Sequence, residues 1–157
     1  MHLSALLPAL LATTTAAHLP EPYKAAPPPT PPGLTFLYTC FCTCENPLYS
    51  SQGPRGIRTA IPIVAGNFTD PRLNGKILDV GADWGITDPQ TGIFSADTRY
   101  SFRTEDGANI FVQTTGPAQP DGGLHLRAVL ETGDKKYYWL NNIVRKFCTL
   151  SSSPLVQ

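Results

Sequence analysis

The chain has 157 residues, with twelve basic and twelve acidic side chains, so its formal net charge is zero. That balance excludes bulk electrostatic recruitment to nucleic acid or to an anionic membrane. A hydrophobic content of 41% excludes wholesale disorder, and 16 prolines with 13 glycines point to many turns and few long helices.

The N-terminal stretch Met1 to Ala12 is apolar, too short to span a bilayer, and free of Asp, Glu, Lys and Arg. Thr15-Ala16-Ala17 then supplies the small residues that signal peptidase requires, so residues 1–17 read as a signal peptide and predict a secreted protein. On that expectation Asn67-Phe68-Thr69 is an N-glycosylation acceptor at Asn67. No later run is long enough for a transmembrane helix. Residues 18–33 contain seven prolines and read as an extended, polyproline-like linker.

From Leu34 the pattern becomes that of strands. Leu34, Phe36, Tyr38, Cys40 and Cys42 alternate with Thr35, Leu37, Thr39 and Phe41. Residues 45–56 read as a loop. A second strand is predicted over 57–68, with Pro62 at a bulge or edge. Further strands are predicted over 76–84, 93–104, 108–115, 124–132 and 135–150, the last two forming a hairpin around Gly133-Asp134. Glu105-Asp106-Gly107 reads as a type I′ hairpin turn. Residues 151–157 read as a flexible tail. Seven short, regularly spaced strands predict one all-β domain over 34–150, a meandering sandwich or barrel.

Cys40, Cys42 and Cys44 share one face of the first strand. Such neighbours stand about 6.6–6.8 Å apart, at the upper limit for a disulfide, so they should not bridge one another without distortion. Cys148 would reach one of them if the last strand paired with the first. Cys-x-Cys-x-Cys lacks structural-zinc spacing, and no metal site is expected.

The candidate chemistry lies on Asp, Arg and aromatic residues. Strand 93–104 has one face of Phe94, Ala96, Thr98, Tyr100, Phe102 and Thr104, and another carrying Asp97, Arg99 and Arg103. The polar face is either a solvated surface with ordinary ion pairs or the lining of a barrel lumen, where Asp97 would accept a proton and Arg99 would supply a fixed cation. Asp83 precedes Trp84, and burial against that ring would raise its pKa and suit it to general acid–base work. Tyr137, Trp139 and Asn141 alternate, and as a strand face they would offer a wall for a planar aromatic ligand. There is no Gly-x-Ser-x-Gly elbow, no phosphate-binding glycine loop and no His-Glu-x-x-His, so chemistry without a cofactor is expected.

Several motifs occur in a fixed order: Gly53-Pro54-Arg55-Gly56-Ile57-Arg58, Gly66-Asn67-Phe68, Gly75-Lys76-Ile77-Leu78, Gly81-Ala82-Asp83-Trp84, Asp97 to Ala108, Glu131-Thr132-Gly133-Asp134 and Tyr138-Trp139-Leu140-Asn141. The set resembles domain-of-unknown-function family 3237, small β-barrel proteins of bacteria and fungi. The resemblance covers about residues 34–145. It implies a single antiparallel, calycin-like barrel, and that Asp83, Trp84, Asp97, Arg99, Arg103, Trp139 and Asn141 occupy family motif positions. For an enzyme, Asp83, Asp97, Arg99 and Arg103 are the expected catalytic residues, with Arg58, Trp84, Tyr137, Trp139 and Asn141 binding substrate. It also implies that some fungal relatives serve ring closure or isomerisation in natural-product pathways. The chain departs from the family pattern in its leader and spacer and in Cys-x-Cys-x-Cys. It also stops short after Ile143 to Leu150, where a missing closing strand would leave an open sheet edge.

Three functions follow as alternatives. One is an acid–base tailoring enzyme, an isomerase or cyclase, acting on a small aromatic or polyketide-like molecule. Another is a secreted, non-catalytic binder of small apolar ligands. The third is a secreted interaction protein without a pocket. The expected partner of the first two is a small molecule, not nucleic acid or membrane.

Overall fold

The structure is a computed structural model that describes residues 30–31 and 33–149, with side chains through Phe147. The expected leader, most of the proline-rich linker and the tail lie outside the described residues. The compact unit begins at Thr35.

Ten antiparallel strands form: β1 (Thr39–Cys44), β2 (Tyr49–Gly53), β3 (Gly56–Thr69), β4 (Gly75–Ile77), β5 (Gly81–Asp83), β6 (Ile86–Thr87), β7 (Phe94–Thr104), β8 (Asn109–Pro117), β9 (Leu124–Glu131) and β10 (Arg145–Thr149). The long β3 is flanked on one side by β1 and β2, and on the other by the short β4, β5 and β6, each of which also pairs with β7. The sheet then runs β7-β8-β9-β10 and curls into a barrel. Among the described residues β1 and β10 share no ladder. The seam is filled by side chains instead: the Tyr38 ring, one residue before β1, lies 5.0 Å from the Phe147 ring of β10. The last strand therefore pairs with β9 and not with the first strand, and the side chain of Cys148 lies outside the described residues.

Three local expectations are corrected. The segment 45–56 contains β2, closed onto β3 by a tight turn at Pro54-Arg55 between the paired Gly53 and Gly56. β2 is exposed from Tyr49 to Gln52 and ends on Gly53, so no apolar alternation marks it. The strand expected over 76–84 is broken, because the N–H of Val80 turns back onto the carbonyl of Leu78 (2.9 Å) and leaves the ladder. The segment 135–150 is not one strand: Tyr138–Asn142 is a 3-10 helix, followed by β10. Asp134 starts that helix by accepting hydrogen bonds from the N–H groups of Lys136 and Tyr137, and Leu140 anchors it in full burial.

The Glu105-Asp106-Gly107 turn forms, with a different geometry. Only Gly107 has a positive φ (93°), and its N–H donates to the Thr104 carbonyl. This is a type I turn closed by a left-handed glycine, since a type I′ turn would need Asp106 in the left-handed region as well.

The core occupies one end of the barrel. Phe68, Leu73, Phe102, Ile110, Val112, Leu130 and Leu140 are almost wholly buried there, with Phe68 and Phe102 stacked at 4.0 Å. Gly81 lets β5 approach β7 closely, since a Cβ at that position would stand 2.5 Å from the Cβ of Tyr100.

Candidate functional site

Strand alternation and register decide which side chains share the inner surface. Ile61 stands opposite Asp83, Asp83 opposite Thr98, Thr98 opposite Thr114, Thr114 opposite Ala128, and Ala128 opposite Arg145. This row crosses the barrel beyond the apolar core. Asp83, Thr98, Thr114 and Arg145 are all buried in it. Cys40, Cys42 and Cys44 of β1 oppose Phe68, Gly66 and Ile63, which puts them on the same inner surface. Cys42 and Cys44 are nevertheless exposed, so the polar end is open to solvent on the β1 side.

The polar groups here are unevenly satisfied. The Thr98 and Thr114 hydroxyls bond each other at 2.6 Å. Among the described residues, the Tyr38 hydroxyl and Nε and Nη2 of Arg145 are buried without a hydrogen-bond partner. Burial pushes the Tyr38 phenol well above its ordinary range, with the Cys40 thiol raising it further and the Arg145 guanidinium opposing. Burial also pushes the Tyr100 phenol up, as do Cys42, Tyr38, Cys40 and Cys44 nearby. Burial lowers the Arg145 pKa, yet a guanidinium remains a cation at neutral pH. Tyr38, Tyr100, Arg145 and the thiols thus form one electrostatic neighbourhood.

Asp83 borders it, since its charge reaches Cys44. Burial raises the Asp83 pKa above that of a free carboxyl, the hydrogen bond from the backbone N–H of Asp97 opposes this, and the Asp97 charge adds to it. The direction matches the expectation, but the cause is not the ring of Trp84. Successive strand residues face opposite ways, and Trp84 lies outward and 36% exposed.

The polar face of β7 is the outer one. Ala96, Thr98, Tyr100, Phe102 and Thr104 are buried, whereas Asp97, Arg99 and Ser101 are half-buried and Arg103 is exposed. The lumen-lining alternative for Asp97 and Arg99 is therefore not what the fold builds, because the apolar alternation of β7 takes the inside. Four of the expected residues do meet on this outer face. Asp97 sits between Arg99 (3.0 Å) and Arg58 (3.6 Å), Arg58 also donates to the Trp84 carbonyl, and the Arg99 guanidinium lies 6.0 Å over the Trp84 ring. With side chains 29–42% exposed, such pairs contribute about 0–1 kcal/mol each to stability.

The remaining expected residues stand apart. Arg103 bonds Asn109 across the β7-β8 hairpin at 3.0 Å. Tyr137 is a core residue whose hydroxyl donates to Asp106. The Trp139 ring carries the Arg72 guanidinium at 5.3 Å. Asn141 bonds the N–H and carbonyl of Thr132 and the carbonyl of Tyr138. Because this segment is a 3-10 helix, Tyr137, Trp139 and Asn141 do not form one ligand-facing wall. A polar cleft of about 170 Å³ does lie beside Arg72, Asp106, Lys136 and Tyr137, but it is smaller than the roughly 300–1,000 Å³ typical of ligand pockets. Asn67 is exposed near the C-terminal end of β3, paired with both Phe41 and Lys76. Among the described residues no three His, Cys, Asp or Glu side chains gather at metal-binding geometry.

Known proteins share this architecture. The hydroalkoxylation enzyme phnH of Penicillium herquei is 33% identical over 116 residues, which cover 73% of this chain and 72% of that protein. The UPF0311 protein blr7842 of Bradyrhizobium diazoefficiens is 32% identical over 123 residues, covering 67% and 79%. The crystal structure of an enzyme from Penicillium herquei superimposes with a TM-score of 0.65 at 28% identity, over 76% of this chain and 85% of that one. A β-barrel-like protein from Acinetobacter baumannii gives a TM-score of 0.59 at 29% identity, over 73% and 86%. The model of the family described as "Protein of unknown function (DUF3237)" matches residues 32–145, most of the chain, and the chain belongs to that family.

Proposed function

We propose that this protein is an acid–base tailoring enzyme that isomerises or cyclises a small hydroxylated aromatic or polyketide-like molecule at the polar end of the barrel. The observation that carries the reading is the buried Asp83 carboxyl on the same inner surface as the Tyr38 hydroxyl and Nε and Nη2 of Arg145, which have no hydrogen-bond partner among the described residues. Buried polar atoms without partners are costly unless something polar meets them, and a ligand hydroxyl or phenolate does so here. Asp83, with its pKa raised by burial above that of a free carboxyl, removes a proton from a ligand hydroxyl and returns it to carbon. Arg145 stabilises the oxygen anion that forms. Arg58, Asp97 and Arg99 act from outside the sheet as positioning residues for the Asp83 segment. The similarity to a hydroalkoxylation enzyme supports the chemistry, because adding O–H across a carbon–carbon double bond is redox-neutral and needs one group to take a proton and give it back. The reading extends to a secreted protein on the leader-like composition of residues 1–17.

The test is turnover of phenols carrying an alkenyl side chain, with cyclic-ether formation followed chromatographically at unchanged mass. Wild type converts a member of the panel, and Asp83→Asn lowers kcat by about 10²–10⁴-fold. Binding without conversion, at an affinity indifferent to Asp83→Asn and Arg145→Met, would make the protein a carrier and overturn the reading.

A further inference from the structure

β1 presents three thiols to the inner surface, and the structure holds two of them together. Cys40 Sγ and Cys42 Sγ are 3.7 Å apart, in hydrogen-bond contact, and Cys40, Cys42 and Cys44 are all free. Cys44 lies beyond a register shift between Thr43 and Cys44, which separates it from the pair. Alternate residues of an extended strand have Cα atoms about 6.6–6.8 Å apart, at the top of the range a disulfide spans. A bridge therefore requires β1 to shorten slightly. β1 can do so more readily than an inner strand, because among the described residues it pairs with β3 alone. A bridge that is both strained and exposed belongs to the class that thiols reduce readily.

We propose that Cys40 and Cys42 are a reversible oxidation site, closing to an intrachain disulfide on reaction with a peroxide and reopening with a small-molecule thiol such as glutathione. In the first step the Cys42 thiolate attacks a peroxide oxygen, the O–O bond breaks, and Cys42 becomes a sulfenic acid as hydroxide leaves and is protonated. The Cys40 sulfur then displaces the sulfenic hydroxyl as water and the S–S bond forms. Overall two thiols and one hydrogen peroxide give one disulfide and two waters. Two glutathione molecules reverse the bond by thiol exchange and leave as oxidised glutathione.

The mutual hydrogen bond lowers the Cys42 pKa and raises that of Cys40, so the first thiolate of the pair forms at Cys42, the more exposed residue. The site lies among the groups described above: Tyr38 and Tyr100 both sense Cys40 and Cys42. The inference stands independently of the proposed catalysis.

The full chain is treated with hydrogen peroxide, quenched, alkylated with iodoacetamide and analysed by intact mass and fragmentation. The expected product is a monomer lacking two hydrogens, with the bridge mapped between Cys40 and Cys42 and both thiols restored by glutathione. Cys40→Ser and Cys42→Ser each abolish the bridge, and Cys44→Ser leaves it intact. Several outcomes would overturn the proposal: a bridge involving Cys44 or Cys148, disulfide-linked dimers, stable sulfinic acid at one cysteine, or four alkylatable thiols after treatment. Circular dichroism of each serine variant separates loss of the bridge from loss of the fold.

Discussion

Asp83 and Asp97 face opposite sides of the sheet yet are joined through it. The Asp83 carboxylate, on the inner surface, accepts a 2.8 Å hydrogen bond from the backbone N–H of Asp97, whose own carboxylate lies outside between two arginines. The outer ion pairs therefore hold the segment of β7 that positions the inner carboxyl. Asp97 raises the Asp83 pKa through its charge, and Arg58 opposes it. Asp97→Asn should keep the fold and the N–H bond while shifting the acid limb of the pH–rate profile to lower pH, because one like charge is gone. A profile identical to wild type would remove Asp97 from any positioning role.

Asp83 should also cost stability at neutral pH. Its folded pKa is raised above the unfolded value of 3.8, so its favourable contribution is fully present below that value and is lost as pH rises through the folded pKa. Asp83→Asn keeps an acceptor for the Asp97 N–H. It should therefore melt above wild type at neutral pH, and the gap should close as pH falls below 3.8. Thermal melts across pH check both the sign and the window.

Arg145 should separate binding from stability. It is a buried cation with two nitrogens unpartnered among the described residues, and replacing such a group by an apolar side chain of similar length is often neutral or stabilising. Arg145→Met should leave the denaturation midpoint unchanged or higher, while affinity for a phenolic ligand falls by about 1.5–3 kcal/mol, the contribution of a hydrogen bond to a charged group. Calorimetric titration against chemical denaturation measures the two effects separately.

The Thr98–Thr114 hydroxyl pair lies between Asp83 and Arg145 in the row. Thr114→Val leaves the Thr98 hydroxyl with only a 3.5 Å contact to the Thr114 carbonyl and should cost about 1–3 kcal/mol. The double Thr98→Val, Thr114→Val variant should recover much of that loss, since neither hydroxyl is then buried unpaired. Urea titration of the three variants gives the coupling directly.

Asn141 should behave as a structural residue. Two of its three hydrogen bonds tie the 3-10 helix to Thr132, so Asn141→Ala should lower stability by about 1–2 kcal/mol and leave kcat unchanged. A fall in kcat at unaltered stability would return the Tyr137–Asn141 segment to the ligand site.

The alternation of β7 and β8 was legible in the sequence because each carries a mainly apolar face. β2 was not, since a strand exposed on both faces has no hydrophobic period. The residues of the outer cluster could be named from the chain, but their side could not, because Asp97 and Arg99 alternate equally well with an inside or an outside. Arg145 carried no signal, and Tyr38 only that of an alternating strand position. Their meeting depends on how the ends of the sheet curl together, which only the register of β9 with β10 and the Tyr38–Phe147 contact reveal. Thr98 and Thr114 left a faint trace as polar residues within otherwise apolar faces.

The most direct measurement is an NMR titration of the Asp83 side-chain carboxyl carbon, in the free chain and with a phenolic ligand bound. The midpoint should lie above 3.8 in the free chain and should move on ligand addition in wild type but not in Arg145→Met. A midpoint at or below 3.8, or one indifferent to ligand, would contradict proton transfer at Asp83.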